Sequence, residues 1–311
     1  MTSLITNNSA MNALTTLRGV NNQLATTQDR IASGLKVTSA KDNAAYFQIS
    51  ETMKGDSSVY GSINEGLTLT KNSIETARLG AETIQDQAKQ FLDKVAFAQG
   101  AKGGLSEIEN DLNELVKQME TTLSQSTFNG DDMVAAGATA GATGTMAGAT
   151  GVLTRTADST GAAAAATREV VTGVTRAGGT FATTKIDVDT VDLKKLVNDF
   201  KVIANNFATN AGNVTTGEAF LSGALASTEL VHKDTVDAAT QLGQSAKSIE
   251  NQQEFLKNLV NNIDGGVGAM IDADMESEAA RLQALQTQQQ LATQALSIAN
   301  QGPSNIMALF R

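Results

Sequence analysis

Apolar residues recur along this chain at alternating intervals of three and four, the spacing that lines them up on one side of an α-helix. In the first segment Leu14, Leu17, Leu24, Ile31 and Leu35 keep this rhythm, and polar Asn21 and Gln28 fill the two remaining positions. Such a stripe predicts a coiled-coil-like helix. Gly34 suits its C-terminal cap, and Ser39 with Asp42 makes an S-x-x-D signal for the start of the next helix.

The second segment carries the longest pattern. Ile63, Leu67, Ile74, Ile84 and Phe91 mark a seam that predicts one helix from about Asn43 to Gln99. At 1.5 Å per residue it would be on the order of 80 Å long. Its internal glycines each cost about 1 kcal/mol against alanine, so lateral packing must hold it. A Gly-rich turn at Gly100–Gly104 leads into an amphipathic stretch through Leu123, predicted to fold back as a hairpin and to close at Phe128-Asn129-Gly130.

From Asp131 the stripe stops. Gly137–Gly144 and Ala162–Ala166 are rich in Gly, Ala and Thr, while Val170–Thr175 and Phe181–Val188 alternate as short strands do. This stretch reads as a small exposed insert. Helical rhythm returns over Val191–Phe207. A longer helix begins after Gly217, with Ile249, Leu256 and Ile263 on its seam, and the rhythm crosses Gly265 and Gly266.

The last segment opens with Asp272, Asp274, Glu276 and Glu278, carboxylates suited to a helix N-terminus. After Arg281, Gln283–Phe310 contains no charge, and its Leu, Ala and Ile alternate with Gln, Ser and Thr. Gln286, Gln288, Gln289, Gln290 and Gln294 rule out a lipid-facing span, where an amide has no partner. The absence of ions argues equally against full exposure to water. Burial among other protein chains satisfies both constraints, and the charge-poor first segment has the same character. The expectation is therefore a mainly α fold. N- and C-terminal segments pair into a long helical coiled-coil bundle, and a small β-containing or irregular insert lies in the middle.

Composition narrows the chemistry. The 311 residues include no Cys, no Trp, one Pro, one His and a formal net charge of -10. An acidic chain lacks the basic footprint of a nucleic-acid binder or of membrane-surface attraction. The absence of Cys removes disulfides and thiolate metal sites. His232 has no second His at metal spacing and reads as a surface residue; no nucleophile–base pair can be assembled. The first ten residues have no basic region followed by an apolar one, so an ordinary secretory signal is not expected. Neither an enzyme activity nor a cofactor is expected.

Two sets of motifs then carry a resemblance. Ile5–Ala10 (ITNNSA), Arg30–Gly34 (RIASG) and Ser39–Ala45 (SAKDNAA) resemble the amino-terminal signature of bacterial flagellins. Ile271–Asp274 (IDAD), Ser297–Asn300 (SIAN) and Asn305–Arg311 (NIMALFR) resemble the carboxy-terminal one. Ala284–Leu291 (ALQTQQQL) is similar to flagellins of alphaproteobacteria. The resemblance implies a structural subunit that polymerises into the extracellular helical filament used for swimming. An inner part (1–42 and 271–311) would surround the export channel, a central helical part (43–130 and 191–270) would form a second layer, and the insert (131–190) would face outward. Self-assembly would fall to Leu14, Leu17, Leu24, Ile31, Leu35, Leu282, Leu285, Leu291, Leu296, Ile298, Leu309 and Phe310. The implied partners are copies of itself, the hook–filament junction protein, the filament cap and an export chaperone at the C-terminal region. Neither nucleic acid nor membrane is among them. Export would use the flagellar type III route.

Overall fold

The structure is a computed structural model. It describes residues 7–101, 103–134, 144–155, 164–175 and 182–309, with backbone alone at 164–166 and 302–309. Among the described residues there are seven helices: α1 Asn8–Ser33, α2 Ala44–Gly100, α3 Leu105–Gln125, α4 Leu193–Ala204, α5 Phe207–Ala211, α6 Gly217–Ile271 and α7 Met275–Leu309. Between α3 and α4 lie two antiparallel hairpins, β1 Thr145–Met146 with β2 Leu153–Thr154, and β3 Ala164–Thr175 with β4 Ala182–Val191. The chain divides into two compact units. The first comprises residues 1–58 and 259–311, the second residues 59–258.

In the first unit α1 is capped at both ends. Asn7 Oδ1 accepts from Ala10 N at 3.0 Å, and Gly34, at φ 72, donates to Arg30 O. The linker after α1 then runs beside the α6–α7 connection. Leu35 bridges Asp272, Lys36 N donates to Ile271 O, and Ala273 N donates to Gly34 O. Val37, Val267 and Ile271 are buried beneath, with Phe47, Met53 and Ile263 against them.

The start of α2 differs from the S-x-x-D expectation. Its capping oxygen belongs to Asn43, whose Oδ1 accepts from Ala45 N and Tyr46 N. Asp42 instead reaches backwards, its Oδ2 accepting the backbone and hydroxyl donors of Thr38 and Ser39. Those bonds, the Thr38 backbone N–H first, hold its carboxyl below the ordinary range. The motif therefore builds the turn before the helix, because a carboxylate with four donors behind it is not free to cap forward.

In the second unit α2 and α6 run antiparallel in a constant register. Thr68 meets Gln253, Lys71 meets Glu250, and Gln99 reaches Leu221 O. α3 folds back on α2, with Lys94 paired to Asp111 at 2.5 Å and Gln87 to Thr122. Leu67, Ile74, Ile84 and Phe91 of α2 are fully buried, as are Leu112, Phe200 and Ile249. The rings of Phe91 and Phe200 lie 5.0 Å apart and tilted, and Phe207 and Phe220 meet at 5.6 Å, nearly edge to face. Such pairs add about 0.5–1.5 kcal/mol beyond the area they bury.

The helix expected over Val191–Phe207 is broken in two. α4 stops at Ala204, and Asn206 sits in the left-handed region at φ 56 before α5 begins. Asn tolerates that conformation better than most side chains because its short polar group can bond locally. The break lets Phe207 turn inward to meet Phe220. Ahead of the insert, Asn129 (φ 51) and Gly130 (φ 78) make the tight two-residue turn that Asn-Gly favours. Phe128 and Asp131 bond to each other across it. Of the Gly- and Thr-rich run, residues 137–143 lie outside the described residues, as does Phe181.

Candidate assembly surfaces

The terminal helices of the first unit pack antiparallel along a single seam. Three contacts set the register: Arg30 to Glu278 at 3.1 Å, Asn21 Oδ1 from Gln289 Nε2 at 2.8 Å, and Asn7 Nδ2 to Ala299 O at 2.8 Å. Asn21, the polar interruption of the N-terminal stripe, therefore matches a glutamine of the charge-free run. The amide pair lies exposed at the edge of the seam, where it fixes the register of the two helices.

The third contact has a second cause in the sequence. Pro303 lies inside α7, and proline has no backbone N–H. The donor that Ala299 O would receive from four residues on is missing. Asn7 supplies it from the other end of the chain, while its Oδ1 still caps α1. One side chain thus closes two helix defects at once.

The seam is narrow. Along it Thr27 is 2% and Leu285 4% exposed, whereas Leu17, Leu24, Ile31, Leu282 and Leu296 are half-buried. Leu35 is half-buried in the linker. Leu14 falls outside the seam at 38% exposed, next to Met11 at 61%. On α7 Leu291 is 59% and Ile298 71% exposed, seven residues apart and hence on one face. The side chain of Leu309 and all of Phe310 lie outside the described residues. Each helix thus shows two apolar faces, one spent on its partner and one open.

In the second unit Ile63 is half-buried while Leu67, Ile74, Ile84, Phe91, Ile249 and Leu256 are essentially inaccessible. Ile263 belongs to the first unit, half-buried against Val267. Outward apolar residues remain on both long helices. α2 presents Phe97, 69% exposed, beside Gln90, Asp93 and Lys94 around a shallow depression. α6 presents Leu230 with Ala226, Glu229, Lys233 and Val236 along another. His232, read as a surface residue, is half-buried at that groove.

Sequence reasoning missed one cluster. Residues 147–155 lie along α4 and α6 as a strap. A Cβ on Gly151 would sit 1.9 Å from Phe220 O, and one on Gly223 1.9 Å from Thr150 O, so backbone meets backbone there. Ser227 Oγ donates to Gly151 O and accepts from Leu153 N, both at 3.0 Å. Arg155 then enters between Asp199 of α4 at 2.9 Å and Asp234 of α6 at 2.6 Å. Asp199 is 1% exposed. Burial pushes its carboxyl up to about 6 despite the neighbouring guanidinium.

Comparison with known proteins matches a region at each end of the chain. The bacterial flagellin N-terminal helical region matches residues 4–139, and the bacterial flagellin C-terminal helical region matches residues 225–310. A flagellin of Brucella melitensis is 32% identical over the full length of both chains. The chain belongs to the bacterial flagellin family. Flagellin C of Rhizobium meliloti is 33% identical, again over all of both chains. A flagellin of Caulobacter vibrioides is 29% identical over all of this chain and 99% of its own. Among solved structures, one described as a flagellar hook-associated protein of Vibrio parahaemolyticus aligns with 74% of this chain and 99% of its own, at 11% identity and a TM-score of 0.45. Membership of this structural family makes the chain a filament subunit of the flagellum. Among the described residues no helix is long and apolar enough to cross a membrane.

Proposed function

We propose that this chain polymerises through the open apolar faces of its terminal helices, which line the inner wall of a helical filament around the export channel. The observation that carries this is the exposure of Met11 and Leu14 on α1 and of Leu291 and Ile298 on α7. All four are exposed on helices whose mutual seam is already filled. A contact that joins different faces of successive copies does not close on itself and propagates as a helix. On this reading residues 1–42 and 271–311 form the inner layer, 43–130 and 191–270 the layer around it, and 131–190 the outer surface.

Phe97 and Leu230 supply the contact of the second layer. An antiparallel approach of α2 from one copy to α6 of the next sets Phe97 against Leu230, Asp93 beside Lys233 and Lys89 beside Asp237. None of these four charges has an ion pair among the described residues. The filament is extracellular, built from chains exported by the flagellar apparatus. It is bounded by the hook–filament junction protein and the cap, and the free C-terminal region is shielded by an export chaperone.

Electron microscopy after salt-induced polymerisation tests the reading, comparing the intact chain with one lacking Gln283–Arg311. Helical filaments are expected from the intact chain alone. Equal polymerisation of the shortened chain would overturn the role given to the terminal helices.

A further inference from the structure

The insert is joined to the helices of the second unit by more than its covalent ends. Gly151 and Gly223 bring two backbones together, Ser227 ties the strap at two points, and the guanidinium of Arg155 lies between carboxylates of two different helices. Charged groups facing this cluster are Arg155 from the strap, Asp199 and Lys195 from α4, and Asp234 from α6. Two carboxylates share one guanidinium, whose Nε lies 2.9 Å from Asp199, and its attraction does not offset the water that this buried carboxylate loses. A buried acid so poorly compensated is stabilised by becoming neutral.

We propose that Arg155, Asp199 and Asp234 form a proton-operated clasp that fixes the strap, and with it the insert, to α4 and α6. With the strap lifted, Asp199 meets water and titrates near its ordinary value of 3.8; with the strap docked, it titrates at about 6. The docked form therefore takes up a proton first as the pH falls. Docking tightens in acid, by about tenfold between pH 8 and pH 5, and loosens as the pH rises through 6. Protonation leaves Arg155 paired one-to-one with Asp234, so the clasp keeps its ion pair while it loses the surplus charge.

Hydrogen exchange on the full-length chain reads this directly. The amides of Gly151 and Leu153, bonded to Ala147 O and Ser227 Oγ, report the strap. After correction for intrinsic exchange, their protection is expected to rise about tenfold from pH 8 to pH 5. Asp199→Asn, a neutral side chain of the same shape, is expected to hold the acid level of protection at every pH. Flat protection in the parent chain, or an undiminished slope in Asp199→Asn, would overturn the clasp. Should the substituted chain fail to fold, carboxyl carbon shifts of Asp199 in the parent chain decide. A midpoint near 6 supports the proposal, and one near 4 sinks it.

Discussion

The two units use the same helical spacing to opposite ends. In the second unit the three-four stripes of α2, α3, α4 and α6 converge, and Leu67, Ile74, Ile84, Phe91, Leu112, Phe200 and Ile249 lose all contact with water. In the first unit α1 and α7 pack on each other along one seam, and among the described residues that stripe buries little beyond Thr27 and Leu285. A helix with one neighbour can bury one seam; a helix with three can bury most of its circumference. The amount of apolar surface on a helix does not determine how well it is held. The number of neighbours that reach it does, and surface left over on the pair is available for neighbours from other copies.

The same truncation made in each unit should expose the difference. Leu112→Ala removes a fully buried side chain and should cost about 3–5 kcal/mol in denaturant unfolding. Leu285→Ala should cost about 2 kcal/mol, at the low end for such a change, because the thin seam can close around the gap. Comparable losses would mean that the terminal pair is packed as firmly as the core. Conversely, Leu291→Gln with Ile298→Gln should leave the unfolding midpoint unmoved. The same pair should raise the concentration needed for filament growth at least about tenfold, equivalent to 1.4 kcal/mol per contact. A shift in folding without a change in assembly would reverse the roles assigned to the two faces.

Smaller effects sharpen the picture at single positions. Asn7→Asp keeps the capping oxygen and deletes the donor to Ala299, leaving that carbonyl unpaired at a cost of about 1 kcal/mol. Faster amide exchange at the end of α7 is the expected readout, with α1 unaffected. Asp93→Lys should slow elongation a few-fold, and Lys233→Asp in the same chain should restore it. No rescue would remove the proposed contact between α2 and α6.

Most of the helical architecture was legible because long stripes leave few other solutions, and both strand pieces of the β3–β4 hairpin showed in their alternation. The side of each stripe was harder to read. Leu14 keeps the interval of its neighbours, yet the observed seam runs through Leu17, Val20, Leu24 and Thr27 and leaves Leu14 out. A stripe of adjacent apolar residues can satisfy two seams, and the partner decides which is filled. The bond between Asn7 and Ala299 joins residues 292 positions apart, and only the missing N–H of Pro303 hints at a need for it.

The clasp could have been suspected from its carboxylates alone. Asp199 stands on the apolar face of α4 between Leu196 and Ile203, and Asp234 between Val231 and Ala238 of α6. An acid at a core-facing position needs a cation. Its source, Arg155, lies in a Gly- and Thr-rich stretch with no periodicity, so neither pattern nor spacing pointed to it.

The charge-free run of α7 sets how the polymer meets its surroundings. Between Arg281 and Arg311 nothing ionises in the range a living cell experiences. When two such faces come together, no proton is bound or released and no counterion is displaced. Their association is therefore without linkage to pH, and salt acts on it only by strengthening the exclusion of apolar surface from water. A joint made this way keeps its strength when the medium outside turns acid, alkaline or dilute, with no part of the chain needing to sense the change.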